Sequence, residues 1–150
     1  MKLLFILFAA SLFVSCNSEK KKNQSTSIVL ETKPSENSKT QDGSESLKRG
    51  KEVYSDFCVT CHLPNGKGIP GNFPPLAGSD WLTDKRTESI KAIKYGLSGP
   101  IEVNGEPYNN VMTAQGLSDQ EVADVMNYIS NSWGNKLKEV TKEDVKAISK

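Results

Sequence analysis

Two thiols and an imidazole lie close together in the stretch CVTCH, which contains Cys58, Cys61 and His62. A C-x-x-C pair can act as a redox dithiol, contribute half of a zinc site or close a structural disulfide. When His follows directly, the pair can instead attach a c-type haem. These interpretations predict different chemistries, and the rest of the chain favours one of them.

The surrounding sequence argues against the first three interpretations. A thioredoxin-like dithiol follows a strand, whereas the residues before Cys58 have helical periodicity. A closed zinc site needs four nitrogen or sulfur ligands, and outside Cys16 the chain offers only Cys58, Cys61 and His62. A disulfide leaves His62, the only histidine, without a role. One covalently attached haem c uses all three residues, because the thiols bond to the vinyl groups and His62 ligates the iron.

A haem iron that transfers electrons needs a second axial ligand, and methionine is the natural donor where no histidine remains. Once a signal peptide is removed, Met112 and Met126 are the candidates. Met126 lies on an apolar helical stripe, where methionine usually fills the core. Met112 lies outside any helical pattern, on a loop before a capped helix. The sequence therefore favours Met112.

Three helical stretches predict the elements that position these residues. In the first, apolar and small residues at positions 47, 50, 53, 54 and 57 share one face of a helix that runs into Cys58. The second covers about Thr83 to Tyr95 and ends at Gly96. The third opens with Ser118 and Glu121 in capping-box spacing, followed by an apolar face at positions 122, 125, 126 and 129.

The remaining segments indicate connections and a tail. The stretch HLPNGKGIPGNFPPLAGSDW is too rich in glycine and proline for a helix or a strand. A second capping pattern near the C-terminus predicts a short helix over about Lys142 to Ile148. No long strand pattern is present beside these helical stretches.

In this order, the motifs resemble class I monohaem cytochromes c of bacteria. The run GKEVYSDFCVTCHLPNGKGIPGNFPPLAGSDWL is similar to the first half of that family, and VMTAQGLSDQEVADVMNYISNSWGN to its methionine loop and last helix. The resemblance covers about Ser46 to Asn135. It implies an all-α fold, a cytochrome c-like bundle of short helices around a covalently attached haem, with the first and last helices crossing at Gly50 and Tyr128.

The resemblance also implies roles for residues near the haem. His62 is the proximal ligand, and Leu76 lies on the haem. The Pro74 carbonyl, or that of Pro75, accepts the His62 ring N–H. Trp81 matches an aromatic near the haem propionates, although a core Trp fits the sequence equally well.

One departure from the family concerns the residues after the methionine. The usual MPAF is here MTAQ, so Thr113 replaces the proline that stiffens the loop after Met112.

The N-terminal residues predict export. Residues 1–15 have one Lys, a short apolar run and small residues, as in a signal peptide. The ending LFVSC resembles a bacterial lipoprotein processing site, which implies lipidation of Cys16; alternatively, Cys16 belongs to the discarded signal. Residues 16–45 predict a lipid-anchored flexible linker, residues 46–135 a cytochrome c domain, and residues 136–150 a tail. The predicted location is the periplasmic side of a bacterial membrane.

The charge balance, with 19 basic and 18 acidic residues, suggests no nucleic-acid partner. The sequence predicts a one-electron carrier between redox protein partners rather than an enzyme. One alternative is a haem-based sensor or enzyme with a labile sixth ligand. Another is a tethered cytochrome subunit of a larger oxidase or dehydrogenase.

Overall fold

This computed structural model describes residues 37–150, with side chains described from residue 43. The predicted signal peptide, Cys16 and residues 17–36 of the predicted linker lie outside the described residues. The elements are α1 (Asn37–Val53), a π-helical turn (Tyr54–Cys58), α2 (Val59–His62), α3 (Asp80–Asp84), α4 (Arg86–Tyr95), β1 (Ile101–Val103), β2 (Glu106–Tyr108), α5 (Asp119–Ser130) and α6 (Lys142–Ala147). No helix among the described residues is long and apolar enough to cross a membrane.

Helices α1 and α5 pack against each other at Gly50, where the resemblance implies a crossing. A Cβ atom at Gly50 would overlap the Asp124 carbonyl and lie 2.9 Å from the Tyr128 Cβ. Val122 and Val125 of α5 are fully buried in the core. Only glycine permits so close an approach, which accounts for its place inside a helix despite its low helix propensity.

The predicted capping boxes of α5 and α6 are both formed. At the start of α5, the Ser118 backbone N–H donates to the Glu121 carboxylate at 2.8 Å, and the Glu121 N–H donates to the Ser118 hydroxyl at 3.3 Å. Thr141 and Asp144 form the same reciprocal pair at the start of α6. These bonds satisfy backbone donors that have no partner within the helix.

A buried carboxylate lies at the α1–α5 contact. The Asp124 carboxylate accepts hydrogen bonds from Ser46 Oγ at 2.7 Å, from Arg49 Nε and Nη2 at 2.6 and 2.9 Å, and from Gln120 Nε2 at 3.0 Å. Burial alone would raise the pKa of Asp124, but the bonds from Arg49, Ser46 and Gln120 outweigh it and lower the pKa. The charge is therefore kept inside the fold by a full set of donors.

The structure is mainly helical, as predicted, but it differs from the sequence prediction in two helices. Helix α1 begins at Asn37, so residues 37–45 are helical where the sequence predicts a linker. Extension of a helix whose next turns are already packed is inexpensive, because each added residue gains a hydrogen bond. The predicted stretch from Thr83 to Tyr95 is divided at Lys85, whose backbone leaves the helical region.

A β-hairpin that the sequence prediction missed follows α4. Strands β1 and β2 pair antiparallel through Ile101 and Tyr108. The turn residues Asn104 and Gly105 both have positive φ, at 53° and 80°, as a two-residue hairpin loop requires. Asn104 and Asp80 exchange two hydrogen bonds of 2.9 Å, which hold the turn against the start of α3.

We expect Gly50→Ala to destabilise the protein by about 2 kcal/mol or more, because the added methyl group forces α1 away from α5. The measurement is the free energy of unfolding from denaturant titration. Gly43→Ala is the matched control, because a Cβ there meets nothing within 4 Å; it should be neutral or stabilising by up to about 1 kcal/mol. Equal effects of the two substitutions would contradict the close helix contact.

Candidate functional site

The C-x-x-C-H stretch lies where the first helical segment ends. The π-helical turn delivers Cys58, and α2 carries Cys61 and His62. The buried Tyr54 donates its hydroxyl to the Leu63 carbonyl at 2.7 Å, which fixes the end of α2. The turn is wider than an α-helical one, and such turns are frequent at functional sites.

The thiols do not have the properties of a redox pair or of a zinc site. Cys58 and Cys61 are half-buried free thiols. Burial, followed by the nearby Cys61 thiol, raises the pKa of Cys58 to about 11, so this thiol is not a reactive thiolate. Among residues 37–150, the first strand begins only at Ile101, so no strand precedes the motif. Nor does any group of three or more His, Cys, Asp or Glu residues in this range form a metal site.

The His62 ring is buried, and one of its nitrogens is engaged by a proline-rich loop. Nδ1 lies 3.0 Å from the Pro74 carbonyl oxygen. A carbonyl can only accept, so Nδ1 carries the hydrogen and Nε2 keeps the lone pair. The loop is anchored near the ring because Gly68 N–H donates to the His62 carbonyl and Leu76 N–H to the Gly66 carbonyl. Burial lowers the pKa of His62 against the opposing effect of the Pro74 bond, so the imidazole stays neutral.

The two candidate methionines lie in different surroundings. Met112 is half-buried and lines the same crevice as Cys58 and His62. Its backbone forms an isolated antiparallel bridge with Leu97, just beyond the end of α4. Met126 is fully buried within the hydrophobic core and does not line the crevice.

The crevice has two adjoining parts, which we call the Trp81 side and the Phe57 side. They contain about 600 and 810 Å³ of space, including the open mouth, and both are bordered by Cys58, His62, Pro74 and Met112. None of their lining residues is Asp, Glu, Lys or Arg. The site is therefore large and apolar, with sulfur and imidazole as its metal-binding groups.

The other residues that the sequence singled out lie on the Trp81 side. Leu76 and Pro75 line it, as does Trp81, which lies outside the buried core cluster. The Lys85 ammonium is 4.8 Å from the centroid of the Trp81 ring, within the range of a cation–π contact. Trp81 is thus a half-buried wall of the crevice.

The hairpin contributes lining residues that the sequence analysis missed. Ile101 borders both sides of the crevice, Val103 the Trp81 side and Tyr108 the Phe57 side. The Asn104-Gly105 pair is the sequence signal that could have located this hairpin, because its flanking residues include alternating apolar positions.

The donor set fits a large apolar group that carries a metal ion. Cys58 and Cys61 can form thioethers, while His62 can offer Nε2 and Met112 its sulfur. The apolar lining suits the faces of a haem macrocycle. These properties match the cofactor that the C-x-x-C-H spacing predicts.

Comparison with known proteins agrees with this geometry. Residues 47–133 match the Cytochrome c family. Cytochrome c-552 from Thermus thermophilus is 42% identical over 109 residues, which cover 66% of this chain and 82% of that protein. The alcohol dehydrogenase (quinone) cytochrome c subunit from Gluconobacter oxydans is 39% identical over 89 residues, or 57% of this chain and 18% of that protein. The gluconate 2-dehydrogenase cytochrome c subunit from Pantoea cypripedii is 37% identical over 112 residues, which cover 71% of this chain and 25% of that protein.

The chain belongs to the cytochrome c family, as a class I monohaem cytochrome c that binds haem c covalently. The prediction of an all-α haem-binding fold from the sequence is thereby confirmed, with the short hairpin as an addition.

Proposed function

We propose that this protein carries single electrons between redox partners. In this proposal Cys58 and Cys61 attach the haem, and His62 and Met112 are the axial ligands of its iron. The observation that carries the proposal is that His62 and Met112 line one apolar crevice beside the thiols. The haem supplies an iron that alternates between the ferrous and ferric states.

The protein residues act by holding and tuning this group. The Pro74 carbonyl fixes the orientation of the His62 ring through its hydrogen bond to Nδ1, which leaves Nε2 for the iron. Methionine as the other ligand raises the reduction potential, and the apolar lining limits access of water. Among the described residues, the ionisable groups that border the crevice are His62, the two thiols and Tyr108. The crevice therefore offers little acid–base chemistry. An electron carrier is therefore favoured over an enzyme.

Met112→Ala should change the optical spectra of the oxidised and reduced protein, because it removes an axial ligand. The reduced variant should bind carbon monoxide readily, whereas the wild type should not. Met126→Leu is the control, because Met126 lies in the core and this substitution nearly preserves its volume.

An unchanged spectrum in Met112→Ala together with a changed one in Met126→Leu would reverse the ligand assignment. Ready carbon monoxide binding by the wild type would favour the sensor or enzyme alternative. Absence of covalent haem from protein matured with the haem-attachment machinery would contradict both functions.

The mouth of the crevice supports an apolar mode of partner recognition. Phe57, Ile69 and Val111 are the large apolar side chains most exposed among those described, at 45%, 37% and 66%. Phe57 and Val111 line the Phe57 side, and Ile69 pairs with Phe73, which lines it as well. Redox encounters bury small areas and dissociate quickly. We infer that partners dock here through an uncharged surface.

The relatives support a related assignment of partners. Two of the similar proteins are cytochrome c subunits of dehydrogenases. A dehydrogenase, or an oxidase, is therefore the class of partner that we propose, whether this protein meets it transiently or as a tethered subunit. The electron-transfer chemistry is the same in both cases.

Electron self-exchange between ferrous and ferric copies tests the apolar docking surface without a known partner. The rate, from NMR line broadening of mixtures, should change less than about twofold between low and high salt. Val111→Lys should slow it roughly threefold to tenfold at low salt, because two copies then bring like charges together, and added salt should restore it.

Thr87→Lys is the matched control for Val111→Lys. Thr87 is exposed on α4 and does not line the crevice, so the same change in net charge should alter the rate by less than about twofold. A steep salt dependence of the wild type, or equal effects of both lysines, would contradict docking at this mouth.

We also propose that the protein is exported and held by a lipid at Cys16 on the periplasmic side of a bacterial membrane. The support is the sequence of residues 1–16, with its short apolar run ahead of a cysteine. The tether that follows would let the haem domain reach partners near the membrane.

Full-length protein produced in a bacterium with lipoprotein maturation should fractionate with membranes and carry a lipid-modified N-terminal cysteine by mass spectrometry. Cys16→Ser should abolish the modification, whereas Ser18→Ala should not affect it. Recovery of the wild type as soluble protein beginning beyond Cys16 would instead indicate an ordinary signal peptide.

A further inference from the structure

The backbone of Met112 exchanges two hydrogen bonds with that of Leu97, just beyond the end of α4. Met112 N–H donates to the Leu97 carbonyl at 2.9 Å, and Leu97 N–H donates to the Met112 carbonyl at 2.8 Å. A pair of such bonds fixes both the position and the direction of the backbone. The Met112 side chain therefore starts from a defined point on the crevice wall.

Gly96 makes this contact possible. It ends α4 with a φ of 82°, a conformation that favours glycine. A Cβ atom there would lie 2.8 Å from the Met112 carbonyl oxygen and 3.0 Å from the Ala114 nitrogen. The methionine segment is thus packed directly on the Cα of Gly96, and a side chain at this position would push it away.

The residues after Met112 are restrained by a side chain and not by a proline ring. Gln115 donates its amide to the Thr113 carbonyl at 2.7 Å and also to the Thr113 hydroxyl at 3.1 Å. These bonds tie the Gln115 side chain to the residue directly after Met112. Thr113 alone would leave φ free to vary more widely than proline does.

We propose that the Gly96–Leu97 stretch directly after α4, together with Gln115 bonded to Thr113, keeps the Met112 sulfur on the iron. This inference rests on the proposed function, because it requires Met112 to be an axial ligand. Gly96 and Gln115 are positioning residues, since they act through the backbone of the methionine segment. Their loss should raise the fraction of molecules in which the sulfur is detached.

Carbon monoxide binding to the reduced holoprotein measures that fraction, because the observed affinity scales with the population that has an open sixth position. Gly96→Ala should raise the affinity at least roughly tenfold. It should also shift the ferric spectrum toward that of Met112→Ala and lower the reduction potential. A residue that only supported the fold would lower stability without moving these three readouts.

Gly99→Ala is the matched control. Gly99 also has a positive φ, 95°, but a Cβ there meets nothing within 4 Å. Both alanines place a side chain at a positive φ, and only the one at position 96 also meets the methionine segment. Adding Thr113→Pro to Gly96→Ala should restore part of the wild-type behaviour, because proline stiffens the segment again.

The possible outcomes separate this inference from the proposed function. If Met112→Ala leaves the spectrum unchanged, the ligand assignment fails and the inference fails with it. If Met112→Ala changes the spectrum while Gly96→Ala behaves as Gly99→Ala does, only the inference is overturned. If Gly96→Ala yields no folded haem protein, the carbon monoxide affinity of Gln115→Ala is the deciding measurement. An affinity higher than that of the wild type supports the inference, and an affinity equal to it overturns the inference.

Discussion

The contact of α1 with α5 at Gly50 determines where the C-x-x-C-H residues lie. A Cβ at Gly50 would overlap the Asp124 carbonyl. The backbones of the two helices are therefore in direct contact at this point. The same side of α1 continues into Tyr54, whose ring centroid lies 5.4 Å from that of Tyr128. Four residues beyond Tyr54 the chain reaches Cys58. The position of the first thiol therefore follows from a helix contact more than two turns away from it.

The domain keeps its buried ion pair away from the crevice. The buried Asp124 carboxylate and its donors lie at the α1–α5 contact, whereas the crevice has no Asp, Glu, Lys or Arg in its walls. A buried carboxylate next to the haem would favour the oxidised iron, whose charge is higher. Placing the ion pair at the helix contact satisfies it locally. In the proposed function, the iron ligands and the apolar lining would then be the main influences on the reduction potential.

The parts of this structure that sequence predicted are those governed by local spacing. The helix before Cys58 and the capping box at Ser118 depend on residues within a few turns of each other. The place of Gly50 follows instead from the family resemblance, because its contact is with Asp124 on a distant helix. The fold class and the covalent haem, likewise carried by local motifs, are shown by the family membership. Assignment of each side chain to the iron remains a prediction.

The features that the sequence analysis missed have a weak signal in the side-chain types. The pairing of Leu97 with Met112 joins segments fifteen residues apart through backbone atoms alone, so side-chain types carry little signal for it. The hairpin strands are only three residues long, so their alternation is weak, and the Asn104-Gly105 turn carries most of the sequence signal. Helix α1 extends to Asn37 because its later turns are packed, which composition alone does not reveal.

Helix α4 connects the haem site with the C-terminal tail, which lies beyond the family match at residues 47–133. On one side Ile93 lines the crevice. On another, Lys94 donates to the carbonyls of Val145 and Ile148 at 2.9 and 3.4 Å, and the Tyr95 hydroxyl donates to the latter at 2.9 Å.

The tail is also tied to α5, because the Asn127 side chain exchanges two hydrogen bonds with the Val140 backbone at 2.9 and 2.7 Å. Since Val140 and Val145 are buried, the tail acts as part of the core and braces α4 against α5. The C-terminal end of α4, just before the Leu97 that pairs with Met112, is thus held by the tail. This support helps the methionine segment to remain in place without a proline.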